Sequence, residues 1–344
     1  MTNSSDVPSE ITVVVLNYNA GAYLAACIEA LTAQSYKNFH AIIADNGSSD
    51  ASFTDVQSNV SDVRFEFVDL NENHGFARGN NLVLRQVESP LVALLNPDAI
   101  PAPDWLENLD TAQRRYPNAS SFGSLQLDLN DPTRLDGAGD NFLAVGVPWR
   151  GGFGHEASTR EAQWEGEVFS ACAAAALYRT EALTAAGGFD EDYFCYVEDV
   201  DLGFRLRLLG GECIQAPSAV VRHAGGVSSG SKRSEFAIYH GVRNMVWTFV
   251  KNMPWPLFWP LLPAHVAVLV LLLVKAVLRG EGAWVARGLR DAVYGLPTAW
   301  AKRNIMQAKR QSSVANIASA LVWNLGTYLR KDIVCRTPHP KGGT

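Results

Sequence analysis

Apolar runs alternate with segments of helical periodicity through the first hundred residues. A continuous β-branched and aliphatic run occupies residues 11–16, and further segments typical of strands occupy 39–44, 63–68 and 91–95. Helical patterns at 23–31 and 75–87 lie between them. Runs that are apolar at every position are typical of strands buried on both faces of a parallel sheet. The alternation therefore predicts an α/β fold with a Rossmann-like, doubly wound and mainly parallel sheet.

Polar clusters follow three of the predicted strands, and their members are Asn17, Asn19, Asp45, Asn46, Asn96 and Asp98. Taken singly, each cluster is explained at least as well by turn chemistry, since Asn46-Gly47 is a common turn pair. In doubly wound folds, however, ligands bind at the carboxyl ends of the strands. The shared placement predicts a nucleotide-type site. There Asp45 would accept hydrogen bonds from a base edge, and Asp98 would supply an oxygen ligand to a divalent cation.

The segment 71–81 combines glycines with a basic side chain. Gly75 and Gly79 permit close backbone approach, and Arg78 offers positive charge to a phosphate. The segment is neither a P-loop nor a dinucleotide-binding fingerprint. The alternative is a polar loop whose His74 only caps the following helix.

The densest acidic stretch of the chain spans residues 190–201 and follows Gly187-Gly188. Glu198 opens a helical pattern, with leucines continuing at spacings of four and three residues. A carboxylate at a helix N-terminus beside aromatic side chains is suited to act as a general base towards a sugar hydroxyl. The alternative is that the acids only start the helix favourably against its dipole, and for Asp201 the two interpretations are equally good.

The middle of the chain is less regular and rich in glycine. We expect long loops on the acceptor side over residues 120–170, then a strand of small residues over 169–178. A short strand at 220–223 ends in His223, before a flexible Ser/Gly segment at 228–231. A lone histidine is usually structural, but one at a strand end can bind a metal or a diphosphate.

The overall net charge of −6 conceals a division between two regions. Residues 1–230 hold 13 basic and 31 acidic side chains, a net charge of −18, whereas residues 231–344 hold 16 and 4, a net charge of +12. A basic, apolar region suits anionic lipid head groups. Nucleic acid is a poorer partner because no reading motif accompanies the charge. Five scattered cysteines and a polar N-terminus without a signal region favour the cytoplasm.

The apolar segment 257–278 is ambiguous. Its uninterrupted core, 266–274, has nine residues between His265 and Lys275, fewer than the ~20 that a spanning helix needs. We therefore expect an interfacial or re-entrant segment, followed by basic amphipathic helices at 282–294 and 304–329. The sequence predicts a catalytic domain at 1–250 and a membrane-associated helical region at 251–344, peripheral or monotopic on the cytoplasmic face of the inner or plasma membrane. The alternative is a helical cap packed on the first domain.

Taken in order, these pieces resemble the family 2 inverting glycosyltransferases of the GT-A fold, and within them the bacterial rhamnosyltransferase-like branch. The resemblance covers roughly residues 10–250, and its matching segments are 14–19, 45–50, 73–81, 95–98, 188–194, 198–202 and His223. The family's metal motif is often Asp-x-Asp, whereas this chain has Asn96-Pro97-Asp98. The rhamnosyl branch commonly has this form.

The resemblance implies a metal-dependent, inverting transfer from a nucleoside-diphosphate sugar. It makes Asp199 the catalytic base, and Asp98 and His223 the ligands of Mg²⁺ or Mn²⁺. The residues that it implies for substrate binding are Asn17, Asn19, Asp45, Asn46, Arg78, Gly79, Asn80, Asn96 and Glu198.

The resemblance favours deoxythymidine diphosphate-L-rhamnose as the donor, with galactofuranose or another hexose as alternatives. The basic, apolar tail favours a glycan or polyprenyl-linked glycan as the acceptor, and a homo-oligomer stays open. A nucleotidyltransferase is disfavoured because no Gly-rich, Lys-containing phosphate loop is present near the N-terminus. An inactive scaffolding relative in a polysaccharide-assembly complex is the remaining class, although the acids and His223 argue against it.

Overall fold

A computed structural model describes residues 10–225 and 234–338 of the chain. The polar N-terminal segment 1–9 and the Ser/Gly segment 228–231 lie outside these ranges. The first elements alternate strictly: β1 Ile11–Asn17, α1 Ala22–Thr32, β2 Phe39–Asp45, α2 Ser52–Asn59, β3 Phe65–Asp69, α3 Gly75–Leu84 and β4 Leu91–Leu95. The strands and helices predicted in this part are confirmed, with ends that differ by up to three residues.

Strands dominate the middle of the chain, and helices dominate its end. The middle contains β5 Ala99–Pro101, α4 Trp105–Arg115, β6 Ser121–Asp128, β7 Leu135–Ala138, β8 Asp140–Leu143, β9 Val147–Arg150, β10 Gly166–Val168, β11 Ala175–Arg179, α5 Thr180–Ala186, α6 Glu198–Leu208 and β12 Cys213–His223. The C-terminal helices are α7 Glu235–Asn252, α8 Trp255–Val277, α9 Gly282–Tyr294, α10 Leu296–Lys309, α11 Val314–Ala320 and α12 Leu325–Arg330.

The central sheet has the strand order β10-β12-β6-β11-β4-β1-β2-β3, with β5 paired to β12 and β7 to β6. The strands β1 to β4 are parallel, whereas β11 runs antiparallel to both β4 and β6. Asn17 pairs with Asp45 across β1 and β2, and His223 pairs with Asp128 across the parallel strands β12 and β6. The ends of these strands therefore lie at one edge of the sheet, and the predicted α/β class is confirmed.

Helices cover both faces of the sheet, which explains why its central strands are apolar at every position. Successive side chains of β1 point to opposite faces. Val13 packs in one core with Leu24 of α1 and Trp105 of α4, while Val14 packs in a second core with Ala77 of α3. The second core also contains residues of α5 and α6, so α6 is anchored against the sheet.

The long loops expected over 120–170 are wrong, because this part contains the five strands β6 to β10. Its glycines lie in tight turns between short strands: Gly139 and Gly146 have φ angles of 72° and 90°. The strand expected over 169–178 is shorter than predicted, since β11 begins at Ala175. Residues 170–174 instead pass along the edge of the sheet, where Gly203 of α6 leaves room for Ser170.

The helix expected over 304–329 is also wrong, because three shorter helices, α10 to α12, occupy this range. Side-chain caps divide them. Ser313 accepts a hydrogen bond from the Asn316 amide at the start of α11, and Asn324 accepts one from the Gly326 amide at the start of α12. The helix predicted at 282–294 is confirmed as α9.

The segment around 257–278 forms one uninterrupted helix, α8. Among the described residues it is the one helix that is long and apolar enough to cross a membrane, by length and composition. Only 11% of its most apolar window is buried. Its exposed side chains include Trp259, Val266, Val270, Leu271 and Val274.

The inner sides of the C-terminal helices belong to a core that they share with β8 and α6. Phe142, Phe169 and Phe204 form a ring cluster with centroid distances of 5.2 to 5.3 Å. In the same core lie Phe249, Met253, Phe258, Met306, Ile317 and Leu321. These contacts favour the alternative in which the C-terminal helices pack as a cap on the first domain. The division into two domains at residue 250 stays a prediction.

We expect truncation after residue 250 to give an aggregating or poorly folded protein. The truncation removes Met253, Phe258 and Met306 and so exposes the ring cluster, whose burial contributes about 1.5–3 kcal/mol for each side chain. Size-exclusion chromatography and thermal unfolding would measure the result, with truncation after residue 338 as the control. A soluble 1–250 fragment that unfolds cooperatively would support an independent catalytic domain instead.

Candidate active site

The ends of β1 and β2 form one hydrogen-bonded cluster. Asn17 Nδ2 donates to Asp45 Oδ1 at 2.8 Å, and the Ser48 amide donates to Asp45 Oδ2 at 2.8 Å. Asn19 has a left-handed backbone with φ of 49°, and its Oδ1 accepts from the Ser49 amide at 2.7 Å. Asn17 and Asp45 are buried. These hydrogen bonds fix the cluster at the edge of the sheet, where the sequence predicts the nucleotide site.

The next group of expected residues has structural contacts. Asn46 Oδ1 accepts from the His74 amide at 3.0 Å, which joins the end of β2 to the start of α3. A side chain at Gly79 would lie 2.8 Å from Leu16, so this glycine allows close packing. Asn80 Nδ2 donates to the Phe76 carbonyl of its own helix at 2.9 Å. Arg78 differs, because it is exposed and has no hydrogen bond or ion pair within the described ranges.

His223 brings two carboxylates and an amide together at the end of β12. Its Nε2 lies 3.2 Å from Asp98 Oδ1 and 3.4 Å from Asn96 Nδ2, and its Nδ1 lies 2.8 Å from Asp136 Oδ2. The antiparallel pairing of β5 with β12 brings Asp98 to this position. Burial opposes protonation of the ring, but the bonds to Asp136 and Asp98 outweigh it and raise the pKa of His223.

This arrangement fits a divalent cation. When Nδ1 donates to Asp136, Nε2 is left facing Asp98. Metal-binding histidines generally donate their other ring N–H to a carboxylate, as Nδ1 does here to Asp136. Neighbouring ligands at about 2.1 Å from an octahedral ion lie about 3 Å apart, and the observed separation of Nε2 and Asp98 Oδ1 is 3.2 Å. A carboxylate oxygen with one imidazole nitrogen is also a donor set that divalent ions accept.

Asp199 lies in the first turn of α6 among other acidic groups. Its Oδ2 accepts from the Ala173 amide at 3.2 Å, and it is only partly buried. Polar atoms of Asp140, Cys172 and Asp199 all lie within 4.8 Å of one another. Burial, and then the charge of Asp199, raise the pKa of both Asp140 and Glu198. In their protonated forms these neighbours add no negative charge beside Asp199.

Four residues of this site escaped the sequence analysis: Asp136, Asp140, Arg150 and Cys172. The first three lie on the strands β7 to β9, which were expected to be loops. Asp136 and Asp140 lie among apolar residues and glycines in the sequence. A carboxylate in such an apolar run could have indicated a site, because a buried carboxylate requires a partner. For Asp136 the partners are His223 and Arg150.

The cluster of Asp140, Cys172 and Asp199 has the composition of a metal site, but its chemistry argues against one. Burial raises the pKa of the Cys172 thiol, so a metal at this cluster would have to displace the thiol proton. Arg150 Nη2 already lies 3.1 Å from Cys172 Sγ. The positive charge at this cluster is therefore the guanidinium of Arg150.

Asp201 lies apart from this cluster, in a fully buried network. Its carboxylate contacts Lys251 Nζ at 2.7 Å, Arg205 Nε at 2.8 Å and the Tyr193 hydroxyl at 3.1 Å. Burial opposes ionisation, but Lys251 and Arg205 outweigh it and lower the pKa of Asp201. The contacts favour the structural interpretation of this residue.

Comparison with known proteins gives one family and several relatives. The model of "Glycosyl transferase family 2" matches residues 12–185. The chain is 26% identical over 277 residues to an N-acetylglucosaminyl-diphospho-decaprenol L-rhamnosyltransferase of Mycobacterium tuberculosis, covering 73% of this chain and 89% of the relative. It is also 34% identical over 92 residues to a teichoic acid poly(glycerol phosphate) polymerase of Staphylococcus epidermidis, covering 26% of this chain and 13% of that protein.

Two solved structures are similar along almost the whole chain. The S. aureus TarS 1–349 complex with UDP-GlcNAc superposes with a TM-score of 0.57 and 15% identity, covering 94% of this chain and 92% of that one. The mannosyltransferase PcManGT from Pyrobaculum calidifontis, in complex with GDP-Man and Mn²⁺, has a TM-score of 0.54 and 19% identity, covering 92% and 88%. At these identities the likeness shows a shared fold.

The buried network around Asp201 predicts a large stability effect. We expect Asp201→Asn to destabilise the protein by about 3–5 kcal/mol, because it removes the carboxylate that pairs with buried Arg205 and leaves Lys251 with Asp190 alone. Asp192→Asn, at the exposed end of the same network, should cost less than about 1 kcal/mol. Denaturant unfolding followed by circular dichroism measures both variants. A stable but inactive Asp201→Asn protein would instead assign Asp201 to catalysis.

Proposed function

The chain belongs to glycosyl transferase family 2, and from that membership we propose that it transfers L-rhamnose from deoxythymidine diphosphate-rhamnose to a lipid-linked or polysaccharide acceptor. The reaction would serve cell-envelope glycan synthesis. The observation that carries the proposal is that the Asp98–His223 pair and the carboxylate of Asp199 stand at the same edge of one sheet. One cluster suits a diphosphate and its cation, and the other suits an acceptor hydroxyl.

The sugar and the acceptor are supported by a relative rather than by the geometry. The M. tuberculosis relative is matched over 89% of its length, and its name specifies L-rhamnose and a diphospho-decaprenol acceptor. At 26% identity this supports the donor and a polyprenyl-linked acceptor as the first substrates to test. Galactofuranose or another hexose is the alternative outcome of that test.

In the proposed reaction Asp199 is the general base. Its carboxylate takes the proton of the acceptor hydroxyl, and the acceptor oxygen forms a bond to the anomeric carbon of the donor. The bond between that carbon and the diphosphate oxygen breaks on the opposite face, and its electron pair leaves with the nucleoside diphosphate. The anomeric configuration is therefore inverted. Ala173 and Val200 hold the base in place, since their amides donate to its two oxygens.

The donor would lie along the sheet edge from Asp45 to His223. Asp45 and the neighbouring Asn17 and Asn19 would contact the nucleotide. Asp98 and His223 would bind Mg²⁺ or Mn²⁺, which neutralises charge on the leaving diphosphate when bound. Asp136 holds the His223 ring in orientation through Nδ1. Arg78, exposed at the start of α3, would add positive charge beside the phosphates.

A panel of nucleotide sugars tests the proposal, with release of nucleoside diphosphate by the full-length protein as the measurement. We expect turnover of deoxythymidine diphosphate-rhamnose, its loss on chelation, and its recovery with Mg²⁺ or Mn²⁺. Asp199→Asn should lower the rate by about 10²–10⁴-fold, the usual contribution of a general base. Donor binding, measured by calorimetry, should survive in that variant because the substitution keeps the side chain's shape.

Each other result has a distinct meaning. Turnover of a different nucleotide sugar alone would replace rhamnose and keep the enzyme. Donor binding with no turnover of any sugar would favour the scaffolding alternative. Normal turnover by Asp199→Asn would move the role of base to Glu198, which Glu198→Gln then tests. Full activity in chelator would contradict the cation at Asp98 and His223.

We also propose that α8 attaches the protein to the cytoplasmic face of the inner or plasma membrane, in a peripheral or monotopic manner. Its exposed side chains form an apolar surface that water solvates poorly, and Trp255 and Trp259 at its N-terminal end are residues that favour the head-group region. Burial of this surface in lipid is not screened by salt.

Sedimentation with anionic vesicles tests the attachment. We expect the protein to bind and to remain largely bound at high salt, and expect the triple variant Val270→Gln, Leu271→Gln, Val274→Gln to bind much less. The control is Val63→Gln, which changes an exposed valine outside α8. Complete release by salt, or unchanged binding of the triple variant, would contradict an apolar attachment. Resistance to alkaline carbonate would mean that α8 crosses the bilayer.

A further inference from the structure

We propose that Arg150 is a positioning residue whose single guanidinium joins the cation-binding cluster to the base cluster. The cation-binding cluster comprises Asp98, Asp136 and His223, and the base cluster comprises Asp140, Cys172 and Asp199. The inference rests on the proposed function, because its effects are measured in cation binding and in the pH dependence of turnover. The two roles can nevertheless be tested separately.

The first arm of the guanidinium reaches the cation-binding cluster. Arg150 Nη1 donates to Asp136 Oδ2, and the same oxygen accepts from His223 Nδ1 at 2.8 Å. The arginine and the histidine are therefore joined through one buried carboxylate. When Asp136 is held by Arg150, it keeps the His223 ring oriented with Nε2 towards Asp98. Loss of such an outer partner generally weakens metal binding by about 10–100-fold.

The second arm reaches the base cluster. Arg150 Nη2 donates to Cys172 Sγ at 3.1 Å, and polar atoms of Cys172 lie within 4.8 Å of those of Asp140 and Asp199. The titratable groups on which the charge of Asp199 acts include Asp140, Arg150, Cys172, Tyr178, Cys195 and Glu198. Among these groups Arg150 is the cation. Its charge acts to lower the pKa of Asp140, against the burial that raises it.

The fold reserves space for this arginine. A Cβ atom at Gly137 would lie 2.3 Å from Arg150 Cγ and 2.4 Å from Cδ. Gly137 does not have a positive φ angle, so the backbone conformation does not require glycine there. What requires it is the close approach of the Arg150 stem. A methyl group at position 137 would displace the stem and with it both arms.

A guanidinium can hold both clusters because it is planar and presents donors in two directions. Lysine is a point charge on a flexible stem, so it can supply charge near Asp199 but cannot hold Asp136 and Cys172 together. The lysine variant therefore separates orientation from charge. Glutamine removes the charge and shortens the side chain.

The experiment uses full-length Arg150→Gln, Arg150→Lys and Gly137→Ala, with folding checked by circular dichroism and thermal unfolding. Mn²⁺ affinity is read from the electron paramagnetic resonance signal of free Mn²⁺, and the pH profile of donor turnover is recorded. Arg150→Gln should weaken Mn²⁺ binding about 10–100-fold and move the acidic limb of the profile to higher pH. The limb moves up because the charge of Arg150 lowers the pKa of Asp140, and its loss favours protonation within the base cluster.

The other variants refine the result. Arg150→Lys should keep the acidic limb near its wild-type position but still bind Mn²⁺ weakly. Gly137→Ala should weaken Mn²⁺ binding although the arginine is still present. Arg115→Gln is the control, because it removes an exposed arginine that pairs with Glu165 and should change neither measurement.

Two results would overturn the inference: a folded Arg150→Gln protein with wild-type Mn²⁺ affinity and an unmoved limb, or one that loses only its maximal rate. Failure of the proposed function would look different. In that case the wild-type protein would turn over no donor, yet the Mn²⁺ titrations of wild type and variants would still decide whether Arg150 orients the cation-binding cluster. A wild-type protein that binds no Mn²⁺ would contradict that arm.

Discussion

A buried lysine of α7 forms ion pairs with two carboxylates on either side of the segment that leads to Asp199. Lys251 Nζ lies 2.5 Å from Asp190 and 2.7 Å from Asp201, and its side chain is 3% exposed. Breaking a buried pair leaves a charge without a partner, which costs several kcal/mol. The loop before α6, the first turns of α6 and the end of α7 are therefore held together. The position of Asp199 therefore depends on α7, whose Lys251 falls in the region predicted to be membrane-associated.

The same helix also holds a strained backbone in place. Phe194, Tyr196 and Val197 have φ angles of 63°, 69° and 67°, and each such residue costs about 1–3 kcal/mol. Asn244 compensates by donating through Nδ2 to the carbonyls of Tyr193, Cys195 and Tyr196 at 2.7 to 3.0 Å. The strain lies two residues before Asp199. α7 therefore stabilises the backbone that leads to Asp199 by binding its carbonyl groups.

The parts of the fold that the sequence predicts well are those with local signals. The apolar runs of β1 to β4 and the periodicity of α3 and α6 needed no long-range information, and Asp98, Asp199 and His223 follow from them together with the family resemblance. Asp136 meets His223 across 87 residues, and its strand reads as a loop because β7 to β9 are only four residues each. Arg150 is found only when that strand pairing is known. The Asp201 network likewise depends on the packing of α6 against α7.

The tail of the chain shows why net charge overstates attraction to a membrane. The +12 charge of residues 231–344 includes Lys251, which is consumed by buried carboxylates, and Lys302, which pairs with Asp190 and Asp192. Arg303 is completely buried, with its guanidinium 4.1 Å from the Trp255 ring and 4.6 Å from the Phe258 ring. Because these charges hold the protein together, fewer remain for lipid. The proposed attachment would then rest mainly on the apolar face of α8, whose burial in lipid salt does not screen.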